Sequence, residues 1–153
     1  MPKPVLLAEF GYSAANYGDD IEKTGIHLHN GIWATTFSGY AGSGMYWWWD
    51  TYVETYHLWY HFNGLAGFIE GEDLAQYQPF SPLHISATRG ASAQAIGMGL
   101  RGKDILIWLR SNDYTVQGSI ASRPVYVENQ ILSLDEMAPG EYNVRWYSPQ
   151  TGS

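Results

Sequence analysis

Glu9 is the residue whose position in this sequence most strongly suggests chemistry. It closes the short apolar run of residues 4–8 and is followed by Phe10 and Gly11, a pattern typical of a strand buried on both faces of a parallel sheet. A carboxylate at the C-terminal end of such a strand can act as a nucleophile or proton donor, because the loops at that edge build active sites. It can equally order the following loop as a hydrogen-bond acceptor, and residue type alone favours that second role.

Three consecutive tryptophans form the second feature with chemical potential. Trp47, Trp48 and Trp49 lie in the strand-like run 45–50, and flat indole faces suit the apolar faces of sugars. Side chains alternate along a strand, so either Trp48 faces away from its two neighbours or the strand ends inside the run. We expect Trp49 to stack on a sugar, Trp47 to point inward and Trp48 to pack outward on helices, although core packing is an equal alternative for each.

Two histidine pairs could in principle bind a metal ion. His57 and His61 are four residues apart on a predicted helix, but no third ligand is evident, so packing or hydrogen bonding is the favoured role. His27 and His29, two apart on a helix, should point in different directions. Because the chain also has no Cys, thiolate sites and disulfides are excluded. We expect neither a metal ion nor another cofactor.

The elements that must position these residues alternate between strand and helix. Asp19 and Glu22 form a capping pattern for a helix that runs to about Phe37. A second helix is expected to run to about Gly71, with one apolar face formed by Tyr52, Tyr56, Trp59, Ala66 and Ile69. Such alternation predicts an α/β region with parallel strands and right-handed crossovers over residues 1–75.

A different pattern follows the Pro-rich stretch 76–83, which we interpret as a linker. Residues 84–153 are predicted to form a small antiparallel β-domain, a sandwich of about five strands. The strand-like runs are residues 94–100, 104–110, 125–134 and 141–147, with hairpin turns at 101–104 and 138–140.

Composition narrows the class of partner. The formal net charge is −7 with only eight Lys and Arg residues, which argues against nucleic acid and anionic lipid as partners. No run approaches the roughly 18 apolar residues that span a bilayer, and the N-terminus carries no signal-like apolar segment. Seven Trp and twelve Tyr make a carbohydrate partner plausible.

In order along the chain, these motifs resemble the C-terminal portion of cellulase-like, family 5 and related retaining (β/α)8-barrel glycoside hydrolases. Residues 7–11, Leu-Ala-Glu-Phe-Gly, resemble the seventh strand, where a Glu followed by Phe-Gly is the nucleophile. Residues 27–37 are similar to the seventh helix, and residues 46–50 to the eighth strand, where a Trp commonly forms the sugar platform. Residues 105–115 and 137–147 resemble the β-sandwich appended to some of these barrels, so the resemblance covers nearly the whole chain.

The resemblance implies a partial (β/α)8 barrel, strands seven and eight with their helices, followed by the β-sandwich. It implies Glu9 as nucleophile and Trp49, Trp47, Asp50 and Tyr12 as substrate-binding residues for a β-glucan or related polysaccharide. A retaining mechanism also needs an acid/base carboxylate about 5 to 5.5 Å away, which in the family ends the fourth strand and has no match here.

The nearby substitutes for that carboxylate are Asp50, expected to order its loop or bind a sugar hydroxyl, and Glu54, expected on solvated helix surface. The chain alone is therefore predicted to be inactive, with the remaining strands supplied by the same gene, a partner chain or further copies of this chain. Such enzymes are usually secreted. The competing hypothesis is a noncatalytic carbohydrate-binding or structural module whose functional part is the β-domain.

Overall fold

The computed structural model describes residues 3–12, 22–74, 86–88, 93–99, 104–115, 131–133 and 138–152. The predicted linker, most of residues 125–134, and the turn at 101–103 lie outside these ranges. The helices and strands of the described residues are, in chain order, β1 (Glu9–Phe10), α1 (Ile26–Phe37), β2 (Met45–Tyr46), α2 (Tyr60–Ile69), β3 (Ser86–Thr88), β4 (Ala93–Gly99), β5 (Ile105–Ser111) and β6 (Ile131–Ser133).

Strands β1 and β2 pair in parallel, as the alternation of strand and helix predicts. The register places Glu9 opposite Met45. The backbone N–H of Met45 donates to the carbonyl of Ala8 at 3.0 Å, and that of Trp47 to the carbonyl of Phe10 at 2.7 Å. Each strand is only two residues long, shorter than predicted. The partial (β/α)8 barrel stays a prediction.

The two faces of this small sheet have different surroundings. Tyr46 is fully buried, and its ring meets that of Phe10 edge-to-face at 5.3 Å. Helix α1 crosses so close to Phe10 that a Cβ on Gly31 would lie 2.0 Å from the phenyl ring, which explains why this helical position has no side chain. Because side chains alternate along a strand, Glu9 points to the face opposite Phe10, where it is exposed.

Helix α1 begins later than the sequence pattern predicts. Gly25 precedes it in the left-handed conformation, with φ of 80°, which favours glycine. The buried carboxylate of Glu22 accepts a hydrogen bond from the backbone N–H of Ile26 at 2.9 Å and also binds Thr24. The predicted start at the Asp19–Asp20 capping pattern lies outside the described residues, but the helix itself starts only at Ile26. Glu22 therefore caps α1 from a preceding turn.

The predicted continuous helix from Tyr52 to Gly71 is wrong. Residues Trp49–Val53 form a π-helical turn, and His57 then adopts φ of 56°, a left-handed conformation that interrupts helical hydrogen bonding. Helix α2 starts only after this break. The apolar face shifts with it, so that Trp59 and Ala66 are exposed while Leu58, His61 and Leu65 are buried.

Helix α1 forms the centre of the core. It contributes Leu28, Ile32, Trp33 and Phe37, all almost completely buried. Tyr46 of β2, residues of the π-helical turn, Leu58, Leu65 and Trp108 of β5 pack around it. The ring centroids of Trp33 and Trp108 lie 6.2 Å apart, so the antiparallel part of the chain shares this core with the helices.

Strands β4 and β5 form an antiparallel ladder from Ala93–Ser111 to Gly99–Ile105, within one residue of their predicted ranges. Strands β3 and β6 also pair antiparallel. Residues 141–147 were expected as a strand, but they form no strand with any of the described residues. The sandwich stays a prediction.

Candidate functional site

Glu9, expected to end its strand, is instead the first of the two residues of β1, and it faces one side of the parallel sheet. Glu9 is exposed there, opposite the partly buried Met45. Val5 and Leu6, just before β1, are 61% and 63% exposed, so this part of the chain shows apolar side chains to solvent. Glu9 is thus accessible to a ligand approaching that side of the sheet.

The three tryptophans follow β2 rather than lying within it. Because β2 ends at Tyr46, the strand stops before the three tryptophans and not inside their run as one alternative had it, so strand alternation does not determine their directions. Trp47 and Trp49 are 55% and 49% exposed. Trp48 is partly buried against the core, and its indole Nε1–H donates to the backbone carbonyl of Tyr12 at 3.1 Å.

Gly11 lets the segment after β1 approach the tryptophan run. A Cβ at this glycine would lie 3.3 Å from Cβ of Trp47 and 3.7 Å from Cδ1 of Trp48. Together with the hydrogen bond from Trp48 to Tyr12, this contact joins the segment that follows Glu9 to the segment that follows β2. The structure therefore brings the Glu9 segment and the tryptophans together at one end of the sheet.

Tyr12 is placed against α1. Its ring stacks on the imidazole of His27, with centroids 3.8 Å apart and planes at 23°. His27 Nδ1 is in turn 3.1 Å from the hydroxyl of Tyr46. Burial lowers the pKa of His27, an effect that the charge of Glu22 partly opposes, and burial followed by the same charge raises the pKa of Tyr12. Both rings are therefore held uncharged near neutral pH.

Asp50 and Glu54 each have a local partner. Asp50 is exposed, and its Oδ1 accepts from the backbone N–H of Thr51 at 2.8 Å, which corresponds to the loop-ordering role expected of it. Glu54 is exposed, and its Oε2 accepts from the indole N–H of Trp59 at 2.6 Å. Asp50 lies in the π-helical turn, and Glu54 directly follows it.

Sequence reasoning treated Glu22 only as part of a cap and missed its wider role. Besides binding Thr24 and Ile26, its Oε2 accepts from the hydroxyl of Tyr52 at 2.9 Å. Burial, and secondarily the charge of Glu22, raises the pKa of Tyr60. Burial lowers the pKa of His61, an effect that the hydrogen bond to Thr24 and the charge of Glu22 partly oppose. The signal available in the sequence was a Glu two residues before the Thr24-Gly25 pair that precedes the helix, but Tyr52 could not be identified from spacing.

Three of the histidines, His27, His29 and His61, pack in or against the core. His27 faces Tyr46 while His29 stacks on Trp33, so the expectation that they point in different directions is confirmed. His61 Nε2 donates to the carbonyl of Thr24 at 2.8 Å, whereas His57 is exposed and outside α2. Over the described ranges, no three His, Asp or Glu side chains are grouped to hold a metal ion.

Burial, and secondarily the neighbouring His61, lowers the pKa of His29 to about 3.

In the part of the chain that the structure describes, every helix is too short or too polar to span a bilayer. No family model, curated protein or solved structure matches this chain. An accessible carboxylate such as that of Glu9 can attack an electrophilic carbon. The half-exposed indoles of Trp47 and Trp49 can stack on the apolar face of a ring.

Proposed function

We propose that this chain is part of a retaining glycoside hydrolase that cleaves β-linked polysaccharide, with Glu9 as the nucleophile. The observation that supports this most directly is the parallel pairing of β1 and β2: Glu9 lies in a parallel strand one residue before its C-terminal end, and barrel enzymes carry their catalytic groups at that end. The hydrogen bond between Trp48 and Tyr12 keeps indoles beside that end.

In the proposed reaction, a carboxylate oxygen of Glu9 attacks the anomeric carbon and forms a glycosyl ester as the bond to the leaving oxygen breaks. A second carboxyl group protonates that oxygen and later activates the water that releases the sugar. Asp50 and Glu54 are engaged with Thr51 and Trp59, and Glu22 is buried. We therefore assign the acid/base to further barrel strands, of the same polypeptide or a partner, and expect no turnover by these 153 residues alone.

The sugar would lie against the exposed indole faces of Trp49 and Trp47, with the carboxylate of Asp50 accepting from a hydroxyl. β-Linked glucans and related polymers present alternating apolar faces that suit such stacking. We assign the substrate to this class and the enzyme to the outside of the cell, both on the sequence resemblance.

The nucleophile can be tested with a 2-deoxy-2-fluoro-β-cellobiosyl fluoride, whose fluoride leaves without a proton donor. We expect intact-mass and peptide analysis to find a slow covalent adduct at Glu9, lost in Glu9→Gln and retained in Glu54→Gln, the matched exposed carboxylate. An adduct that persists in Glu9→Gln, or spreads evenly over exposed carboxylates, would remove Glu9 from this role. Multiple turnover of soluble glucan, mannan or xylan, lost in Glu9→Gln, would refute only the expected inactivity.

A noncatalytic carbohydrate-binding module is the second candidate, favoured by the C-terminal segment. Trp146 is 80% exposed there, and Tyr142 and Val144 are also exposed. Electrophoresis through gels containing β-glucan, mannan or xylan separates the two proposals. Retention lost in Trp49→Ala and kept in Trp146→Ala supports the site at Glu9, whereas the reverse supports the module. Trp59→Ala, at an exposed indole engaged with Glu54, is the control for both.

A further inference from the structure

Tyr12, the third residue after Glu9, is held by contacts from two other parts of the chain. Its backbone carbonyl accepts the indole N–H of Trp48 at 3.1 Å. Its ring stacks on the imidazole of His27 with centroids 3.8 Å apart, closer than most aromatic pairs. Because a ring stacked in this way fixes the side-chain torsions of its residue, it also limits where the carbonyl can point.

His27 is itself fixed from the opposite side. It is the second residue of α1, and its Nδ1 lies 3.1 Å from the hydroxyl of Tyr46 in β2, with the two rings edge-to-face at 5.4 Å. Tyr46 is fully buried and cannot move without disturbing the core. His27 therefore transmits the position of β2 and α1 to the segment that follows β1.

We propose that His27 is a positioning residue: by clamping the ring of Tyr12 against α1, it fixes the carbonyl that orients the indole of Trp48 beside the end of β1, the strand that carries Glu9. This inference rests on the proposed function only for its relevance to sugar binding, because the clamp is a property of the polypeptide itself. Burial keeps the imidazole neutral at neutral pH, so the contact with Tyr12 is stacking and not an ion pair.

A residue that merely filled space would change overall stability without acting selectively on Trp48. The discriminating signal is the indole Nε1–H of Trp48 in the ¹⁵N-labelled chain, assigned by its loss in Trp48→Phe. In His27→Ala we expect this proton to exchange with solvent about tenfold faster, since the stacking and hydrogen bond that hold Tyr12 are each worth about 1 kcal/mol. The indole protons of the buried Trp33 and Trp108 should exchange at the wild-type rate.

Two further variants separate the clamp from general loosening. His27→Phe keeps a ring against Tyr12, and we expect it to restore most of the protection of Trp48. Tyr12→Leu removes the stack from the exposed side and should reproduce the effect of His27→Ala without touching the core. His57→Ala, at an exposed histidine, is the matched control. Unchanged exchange at Trp48 in both His27→Ala and Tyr12→Leu, or equal acceleration at Trp33 and Trp108, would overturn the proposal.

Titration of the same variants with cellohexaose separates this inference from the proposed function. If both are correct, His27→Ala and Trp48→Ala weaken hexaose binding by similar factors, and His27→Phe binds nearly as well as wild type. Selective exchange at Trp48 without any hexaose binding supports the clamp and counts against a glucan site. If His27→Ala binds cellohexaose as tightly as wild type and its Trp48 indole proton exchanges at the wild-type rate, the glucan site is supported and the clamp is overturned.

Discussion

At the scale of single residues, burial determines what the polar side chains of α1 and its surroundings can do. Glu22 is buried but accepts hydrogen bonds from Ile26 and Tyr52, which compensate the loss of water. His29 is buried beside a second imidazole, that of His61, with ring centroids 5.4 Å apart. Two imidazoles so placed favour the neutral form of each other, in addition to the effect of desolvation.

The stability of the fold should therefore fall in mild acid. The pKa of folded His29 is about 3, below the ordinary 6.5, so as the pH decreases the unfolded chain takes up the proton first. The free energy of unfolding should decrease between about pH 6.5 and about pH 3, by up to about 1.4 kcal/mol per pH unit for this group. The pKa of His61 and that of His27 are lowered too and act in the same direction.

Urea unfolding at several pH values checks this expectation. Carboxylates also titrate in this range, so the quantity to compare is the difference between wild type and His29→Leu, which should have the shallower dependence. His57→Asn keeps a residue that tolerates the left-handed conformation of that exposed position and should leave the dependence unchanged. Parallel pH profiles for wild type and His29→Leu would show that His29 is not protected from protonation.

At the scale of elements, the sequence predicted the strands that depend on local signals but not the helix bounds that depend on long-range contacts. The strands β4 and β5 were predicted within one residue because a long apolar run divided by a turn signal specifies a hairpin locally. The late start of α1 was not predicted, because it depends on contacts of Glu22 with Thr24, Ile26 and Tyr52. Those contacts exist only once the chain has folded, and no period in the sequence encodes them.

Two glycines, one before α1 and one after α2, form a matched pair. Gly25 and Gly71 have nearly the same left-handed φ, 80° and 82°, but a Cβ at Gly25 would lie 2.2 Å from Nε2 of His61, whereas nothing lies within 4 Å at Gly71. Gly71→Ala should cost about 1 to 2 kcal/mol for the conformation alone. Gly25→Ala should cost about 1 to 3 kcal/mol more, because His61 cannot yield without losing its bond to Thr24.

The difference between these two variants, measured by urea unfolding, isolates the close approach of α2 to the start of α1. Equal losses in the two variants would mean that α2 does not pack there. A third variant, Gly25→Ala with His61→Ala, should recover the part of the loss that comes from the clash, since it removes the ring that the new methyl group meets.

At the scale of the whole molecule, the candidate site was only partly visible in the sequence. Glu9 and the tryptophan run could be identified from residue type and from their places at predicted strand ends. The stack of Tyr12 on His27 and the bond from Trp48 to Tyr12 could not, because they join segments that are distant in sequence and depend on where β2 ends.

The open face of the parallel sheet makes association of several copies a testable alternative. Val5 and Leu6 are exposed, and unpaired strand edges beside apolar side chains are prone to association. Under the proposed function, in which the other barrel strands belong to other polypeptide segments, we nevertheless expect light scattering to give a monomer of 17.2 kDa. A larger defined mass that reverts to the monomer in Leu6→Lys, while Val144→Lys has no effect, would instead support a sheet shared between copies.

A hydrogen bond and close packing join the C-terminal segment to α2. The hydroxyl of Tyr147 donates to the carbonyl of Gly64 at 2.9 Å. A Cβ on Gly64 would lie 2.3 Å from the carbonyl oxygen of Pro149, so the segment packs directly against the backbone of α2. Tyr147→Phe keeps the ring against Phe68 but removes the bond, and should lower the free energy of unfolding by about 1 kcal/mol.

Hydrogen exchange measured by mass spectrometry should also show faster exchange in residues 138–152 of Tyr147→Phe, since this segment loses its attachment to α2. Tyr142→Phe is the matched control: its hydroxyl donates to Ala138 within the same exposed segment, so its removal should have a smaller effect on stability. If both variants lost equal stability, the C-terminal segment would be held by its own local contacts rather than by docking on α2.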